Sequence, residues 1–378
     1  MDLSGKISEL EFNKLNELFT LFKKKQYKDG LNISKDYLKK FPNLLNASFT
    51  HNLLGLFNFN LHEWNVSIDY FKKAIQLDKN YIEANYNLGL AYFNAGELEN
   101  SFKQFIFVLN IKKDYMPANQ SLIQLLTFYK PKKTEEDNLI CLINSELRKI
   151  DFTIKYDKKI SDVEVIQYYK KCLGIVSKNL NNFLYQNDQI FRRNGFDLNC
   201  DRHKGIFNSF NTIPKFCFSC FKVVIETKSI IDLIKLSLVF DKLETVSQFA
   251  RKCMIDNRSG KLAYKGFIYC SSVNEVLRLE AAIKPNLDKL IGNDIKIVSK
   301  RGCSEFAEKY PDYQKVFLKE DQMMPFKSNW SENEKNFDNL TTADGIEKRK
   351  QIHKSLSGTS LNDFLIIHKW LKNEKLFI

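Results

Sequence analysis

From residue 10 to residue 130 the apolar positions fall three or four apart, as on helices, and the pattern repeats every 34 residues. Leu54-Gly55 returns as Leu88-Gly89, Ser67 as Ser101, Phe71 as Phe105, Ala74 as Val108 and Leu77 as Ile111. A repeat of this length predicts antiparallel helix pairs stacked into a solenoid, because one pair cannot bury its apolar face alone. Small Gly89 and Ser101 let the helices of a pair approach, and Tyr92 and Phe105 fill the gap to the next pair.

The unit from Ile82 to Tyr115 carries Ala84, Leu88-Gly89, Tyr92, Ser101, Phe105 and Val108 at the small and large positions of the tetratricopeptide repeat, which it resembles. The unit from Ser48 to Tyr81 is similar, with Asn58 where Tyr92 stands and no terminal proline. Upstream, Leu18, Leu21, Gly30, Tyr37 and Pro42 outline a degenerate unit three residues out of frame; downstream, Ala118 and Leu122 open a further first helix that fades near Pro131. The resemblance covers residues 1–131 and implies an α-solenoid of helical hairpins. Its concave face, formed by the first helix of each pair, would bind a protein or peptide partner or be occupied by the chain's own second half. The Lys and Asn pattern of repeats that grip C-terminal carboxylates is not seen, so the resemblance assigns no binding residues.

Residues 132–195 read as a helical connector. Pro131 and the polar run Lys132 to Asp137 break the solenoid; Leu139, Ile140, Leu142, Ile143 and Leu147 then share one side of a helix. Ser161 and Glu164 form a capping-box signature for another helix past Tyr168, Tyr169, Cys172 and Val176, among which Cys141 and Cys172 are expected as core thiols.

Beyond Asn194-Gly195 the period changes, and residues 196–378 form an α+β domain. Strand patterns over Phe216 to Ile225, Phe249 to Asp256, Tyr264 to Cys270 and Ile295 to Ser299 alternate with helices over Ser229 to Leu243 and from Ser272 to Ile283, where Pro285 breaks or kinks the second. Asn257 to Gly260 supplies a turn, Asp321 to Asn336 reads as loop, and a final amphipathic helix starts at Thr359 to Asp363. The order βαββαβ is that of the ferredoxin-like split βαβ fold, with spatial strand order four, one, three, two.

That order brings the start of the first strand to the ends of the third and fourth, and with them Cys217 and Cys220, Cys270, and Cys303. Four thiols at one edge would suit a tetrahedral metal site. A competing local grouping is Cys200 and His203 with Cys217 and Cys220, at zinc-finger-like spacing. Such ligands favour Zn²⁺ or an iron–sulfur cluster. Arg202, Arg251, Lys300 and Arg301 lie within a few residues and would lower thiol pKa values or bind an anionic substrate. Cys253, mid-strand, reads as core; His353 and His368 read as surface or packing residues. Lys265-Gly-Phe267-Ile-Tyr269 partly resembles the first ribonucleoprotein signature of RNA-recognition domains, but Ile268 replaces a small residue and the first strand lacks the second signature.

Composition narrows the class. With 44% hydrophobic residues, 14 Gly and 7 Pro, the 378 residues are expected to fold throughout. Lys plus Arg number 58 against 45 Asp plus Glu, a net +13 that favours acidic partners, although the lysines scatter along helices as solvated faces do. No signal-peptide pattern and no long apolar run is present, so a cytoplasmic protein without a membrane span is expected, and its eight cysteines read as thiols or ligands rather than a disulfide frame. Phosphate-loop, dinucleotide-binding and nucleophile-elbow motifs are missing. Three readings follow: an adaptor that recruits a partner through the repeats, a metal- or thiol-dependent enzyme acting on that partner, and an RNA-binding protein using the sheet. Whether the chain is an enzyme is left open.

Overall fold

A computed structural model describes residues 8–132, 137–183, 185–257, 263–314, 324–341 and 352–376. The chain divides into two units, Met1–Leu125 with Lys335–Lys348, and Leu126–Glu334 with Arg349–Ile378. Among the described residues no helix is long and apolar enough to cross a membrane.

The first unit stacks α1 (Glu9–Lys23), α2 (Tyr27–Lys40), α3 (Ser48–Asn60), α4 (Trp64–Leu77), α5 (Ile82–Ala95), α6 (Leu98–Ile111) and α7 (Met116–Leu125). Ser8 and Glu11 form a reciprocal capping box that starts α1, and Gly96, at φ 88°, takes the left-handed position that ends α5. The repeat has a plain steric basis. A Cβ on Gly55 would lie 2.4 Å from the Phe71 ring, and one on Gly89 2.6 Å from the Phe105 ring, the same contact one repeat later. Ser101 is fully buried and donates its hydroxyl to the Gly89 carbonyl at 2.8 Å, so the small residues do allow the expected close approach.

The second unit opens with α8 (Leu139–Lys149) and α9 (Asp162–Val176), the latter started by the Ser161–Glu164 capping box. There follow β1 (Gln189–Arg192), α10 (Cys200–Phe210), a 3-10 turn over Lys215–Ser219, β2 (Phe221–Thr227), α11 (Ile230–Lys242), the short α12 (Glu244–Ser247), β3 (Arg251–Asp256), β4 (Ala263–Cys270), α13 (Val273–Leu290) and β5 (Lys296–Arg301). Last come α14 (Trp330–Thr341), whose residues from Lys335 onward count with the first unit, and α15 (Leu361–Asn373). The strands form one antiparallel sheet in the order β1-β3-β4-β2-β5. Gly266 on β4 makes room for α11, since a Cβ there would meet Leu236 at 2.5 Å. Side chains alternate along a strand, so Cys253, Val223 and Ile225 share this helix-covered face with Gly266, whereas Phe267, Lys222 and Lys252 point the other way.

Four expectations need correction. The stretch read as a purely helical connector contains β1, which pairs with β3 from Gln189↔Met254 to Arg192↔Arg251; four residues are too few to print an alternating pattern. The strand expected from Phe216 starts at Phe221, because Lys215–Ser219 is a 3-10 turn that carries Cys217; Cys200 and His203 stand on α10, whose buried side is His203 and Ile206. The stretch read as loop over Asp321 to Asn336 contains the start of α14, whose polar sequence is anchored through Trp330 in an aromatic cluster and Glu334, which accepts from the Lys215 amide at 2.8 Å. Finally, α13, 18 residues long, is not broken at Pro285 but runs on to Leu290, its last turn held by buried Leu287 and Leu290. The turn expected over Asn257 to Gly260 lies, apart from Asn257, outside the described residues.

Near β1, Arg192 binds two buried carboxylates: Nε meets Asp241 at 2.9 Å, and the two Nη atoms meet Asp363 at 2.9 and 3.1 Å. Asp363 is also the third residue of α15 and accepts from Ser360 in a capping box, so one carboxylate starts the final helix and ties it to the sheet edge. His368 is packed, stacked on Tyr169 and Phe364 with Nδ1 2.7 Å from the Tyr169 hydroxyl.

Candidate functional site

In the first unit a groove of about 340 Å³ is lined by the first helices of successive pairs. Helix α1 brings Phe19 and Phe22, α3 brings Phe49, Asn52, Leu53 and Leu56, and α5 brings Glu83, Tyr86 and Asn87; Tyr81 and Tyr115 stand just before α5 and α7. The wall is aromatic, with a line of amides across it. Asn87 donates to Asn52 at 3.0 Å, and Asn52 in turn donates to the Tyr81 hydroxyl at 3.2 Å. Burial, then the charge of Glu83, pushes the Tyr81 phenol up to about 12, so it stays a neutral hydrogen-bonding group. Glu83 is the one formally charged residue among the described residues of the lining.

The family model for the TPR repeat matches residues 62–96, across the junction of α4 and α5. The N-terminal third carries tetratricopeptide repeats. Among solved structures, the first TPR of Spaghetti (RPAP3) bound to an HSP90 peptide is 17% identical and covers 32% of this chain and 95% of its own, with a TM-score of 0.29. MamA is 21% identical, covering 45% and 81% with a TM-score of 0.30, and a Naa15/Naa10 complex bound to HypK-THB is 13% identical, covering 62% and 30% with a TM-score of 0.29. No curated protein matches the chain. The TPR assignment stands on the family model and on the repeated Gly–Phe contacts, one in each of two successive units.

In the second unit the sheet ends do meet: Phe221 pairs with both Cys270 and Arg301. Around them the thiols separate by environment. Buried Cys217, on the 3-10 turn, donates to the sulfur of half-buried Cys303; this bond holds the Cys303 thiol below its usual value and raises that of Cys217, with burial adding to the rise. Cys200 and Cys220 lie close enough to act on Cys217 electrostatically, and burial pushes Cys200 up to about 11. A Cβ on Gly302 would stand 2.5 Å from the Cys220 sulfur, so glycine is required at that crossing. Cys270 is raised to about 12, first by burial and then by Glu275, and also feels Cys220. The His203 ring stacks on Phe216 at 5.1 Å. Among the described residues no three or more His, Cys, Asp and Glu side chains are set to hold a metal ion. Cys141, Cys172 and Cys253 are buried, as expected of core thiols.

The neighbouring arginines are occupied. Arg301 is 1% exposed, with its guanidinium 5.2 to 5.3 Å from the ring centres of Phe218, Phe221 and Tyr313. Arg251 donates to the Phe240 and Phe249 carbonyls, and Arg202 pairs with Glu334 at 3.4 Å. These three arginines are built into the fold, and an anionic substrate would find them already engaged. On the face turned away from α11 Phe267 is 3% exposed, so the ring that would stack on a base is covered. Its cover includes Lys222, a residue the sequence did not single out, hidden among the apolar positions of β2. The groove residues were missed as well: the repeat pattern tells where first helices lie, but the aromatics between the consensus positions carry no period of their own.

Proposed function

We propose that the chain is an adaptor whose groove takes an extended, apolar and basic segment of a partner protein. The observation that carries this reading is the groove lining: aromatic walls, the Asn87–Asn52–Tyr81 hydrogen-bonded line, and Glu83 as the single charge among its described residues. Rigid aromatics supply desolvated contact area at small entropic cost, side-chain amides can bond a peptide main chain whatever its sequence, and the lone carboxylate favours a Lys or Arg on the ligand. The second unit is the part presented to the recruited partner. Its strands β2 to β5, in the order β5-β2-β4-β3 with α11 and α13 as crossovers, support a ferredoxin-like reading with β1 added at one edge.

Selection of a displayed random-peptide library on the whole protein tests the proposal. Peptides with apolar residues around a Lys or Arg should be enriched. Tyr86→Ala and Asn87→Ala should each weaken the best of them by about tenfold, and Glu83→Lys should reverse the charge preference. Enrichment of no peptide class, or affinities indifferent to all three substitutions, would refute it.

A further inference from the structure

The Cys217–Cys220 motif has no part in the groove, and its surroundings fit it for different chemistry. The turn that carries Cys217 is bonded directly to the end of β5 and the residues after it. The Gly302 amide donates to the Cys220 carbonyl at 2.9 Å, one step beyond the Phe221↔Arg301 pair, and Arg301 donates to the Phe218 carbonyl at 2.5 Å. Two further bonds fix the backbone at the thiols: the Tyr313 hydroxyl donates to the Cys217 carbonyl at 2.9 Å, and the Gln314 amide to the Cys303 carbonyl at 2.6 Å. Cys217 belongs to the buried cluster of Phe306, Tyr313 and Trp330, and Cys303 packs against that cluster. Held this way, the Cys217 thiol meets the Cys303 sulfur and donates to it.

Access divides the eight thiols. Six are buried, Cys217 among them at 1% exposure, whereas Cys200 and Cys303 are half-buried. Burial pushes the Cys200 thiol up to about 11 and so keeps it protonated, while the bond from Cys217 favours the thiolate at Cys303. A small oxidant therefore finds one reactive sulfur with a second thiol already touching it. Cys220, the other thiol of the motif, is 8% exposed and stands over Gly302, where a Cβ would lie 2.5 Å from its sulfur.

We propose that Cys303 and Cys217 form a reversible redox site for hydrogen peroxide, Cys303 as the attacking sulfur and Cys217 as the thiol that resolves it. Peroxide is small enough to reach a half-buried sulfur, which a protein disulfide is not. The Cys303 sulfur attacks one peroxide oxygen: an S–O bond forms, the O–O bond breaks, and the departing hydroxide leaves with the thiol proton as water. The Cys217 sulfur then displaces the hydroxyl of the resulting sulfenic acid, forming the S–S bond and releasing a second water. Two thiols lose two electrons, and one peroxide becomes two waters. The disulfide joins the turn before β2 to the segment after β5, so oxidation staples this end of the sheet, and exchange with a small dithiol releases it.

Treating the reduced whole protein with equimolar hydrogen peroxide, then mapping its peptides by mass spectrometry without reductant, tests the site. The main product should be a Cys217–Cys303 cross-link that dithiothreitol reverses. Cys303→Ser should abolish the cross-link and slow peroxide consumption by at least about tenfold. Cys217→Ser should stop the reaction at the Cys303 sulfenic acid, which dimedone traps in this variant and hardly at all in the wild type. If the Cys217 variant does not fold, the wild-type map and Cys303→Ser decide the matter. A main cross-link from Cys217 to Cys220 or from Cys303 to Cys200, oxidation of Cys303 to a sulfinic acid without a cross-link, or peroxide consumption unchanged by Cys303→Ser would overturn the site.

Discussion

Replacing Asp363 by Ala removes the bidentate partner of Arg192 and leaves that guanidinium with Asp241 alone. The side chains of Arg192, Asp241 and Asp363 are 8%, 7% and 4% exposed, so water cannot take the place of the lost carboxylate. Removing one partner of such a pair costs about 3–5 kcal/mol, because the penalty is the desolvated charge left behind. The same carboxylate accepts from the Ser360 amide and hydroxyl, and losing a helix cap alone costs about 1 kcal/mol. Since one group serves both roles, the two costs overlap, and the expected loss is about 4 kcal/mol. Urea unfolding followed by the fluorescence of buried Trp330 and Trp370 in the second unit, in a Trp64→Phe background that silences the first unit, reads this loss. Adding Arg192→Met to Asp363→Ala should restore part of the stability by removing the orphaned charge. A loss below about 1 kcal/mol, or a double variant no better than the single one, would refute the reasoning. The pH dependence has a definite sign. Burial opposes ionisation of Asp363, but Arg192 and the Ser360 cap outweigh it and hold the carboxyl below its ordinary value. Its contribution is therefore complete above about pH 4 and is lost as the pH falls through the lowered folded value.

Other expectations test the remaining parts. Gly89→Val places a branched side chain 2.6 Å from the Phe105 ring and should destabilise the first unit by at least about 2 kcal/mol in thermal unfolding, whereas Gly174→Ala on α9, where a Cβ meets nothing within 4 Å, should stabilise the second unit by up to about 1 kcal/mol. Burial of His51 keeps its imidazole neutral, against the opposing hydrogen bond to the Leu45 carbonyl, so the first unit should keep constant stability above about pH 6.5 and lose stability below it; His51→Gln should flatten that slope in urea titrations. Among the thiols at the sheet edge, Cys303 should be alkylated first, as seen by peptide mapping. Cys217→Ala should slow that reaction by removing the donor, and an unchanged rate would refute the assigned thiol pair.

The features legible in the chain are those written by short-range terms. The Gly55–Phe71 and Gly89–Phe105 contacts recur because each repeat solves the same packing problem, so the solenoid can be read from spacing. Ser161 with Glu164, and Ser360 with Asp363, announce helix starts because a cap is satisfied within three residues. The strands β2 to β5 were visible from their β-branched and aromatic runs, within two residues of their observed bounds except at the start of β2, expected at Phe216 and found at Phe221 after the Lys215–Ser219 turn. Helix α14 was not, since its stability comes from Trp330 and Glu334 bonding to distant segments rather than from an apolar stripe.

By itself the sequence determined the repeat and its register, the helix starts and most of the strands, because period, cap and propensity are each decided within about one helical turn or one repeat. Tertiary structure alone decided which side chains meet. It added β1 to the sheet edge, placed Cys217 against Cys303 while His203 turned to Phe216, assembled the groove from helices about 34 residues apart, and set Lys222 and Lys252 over one ring. Those meetings depend on the closure of long loops and on strand register, neither of which leaves a local pattern, so a lysine and a phenylalanine 45 residues apart, Lys222 and Phe267, carry no mark of their contact until the sheet brings them together.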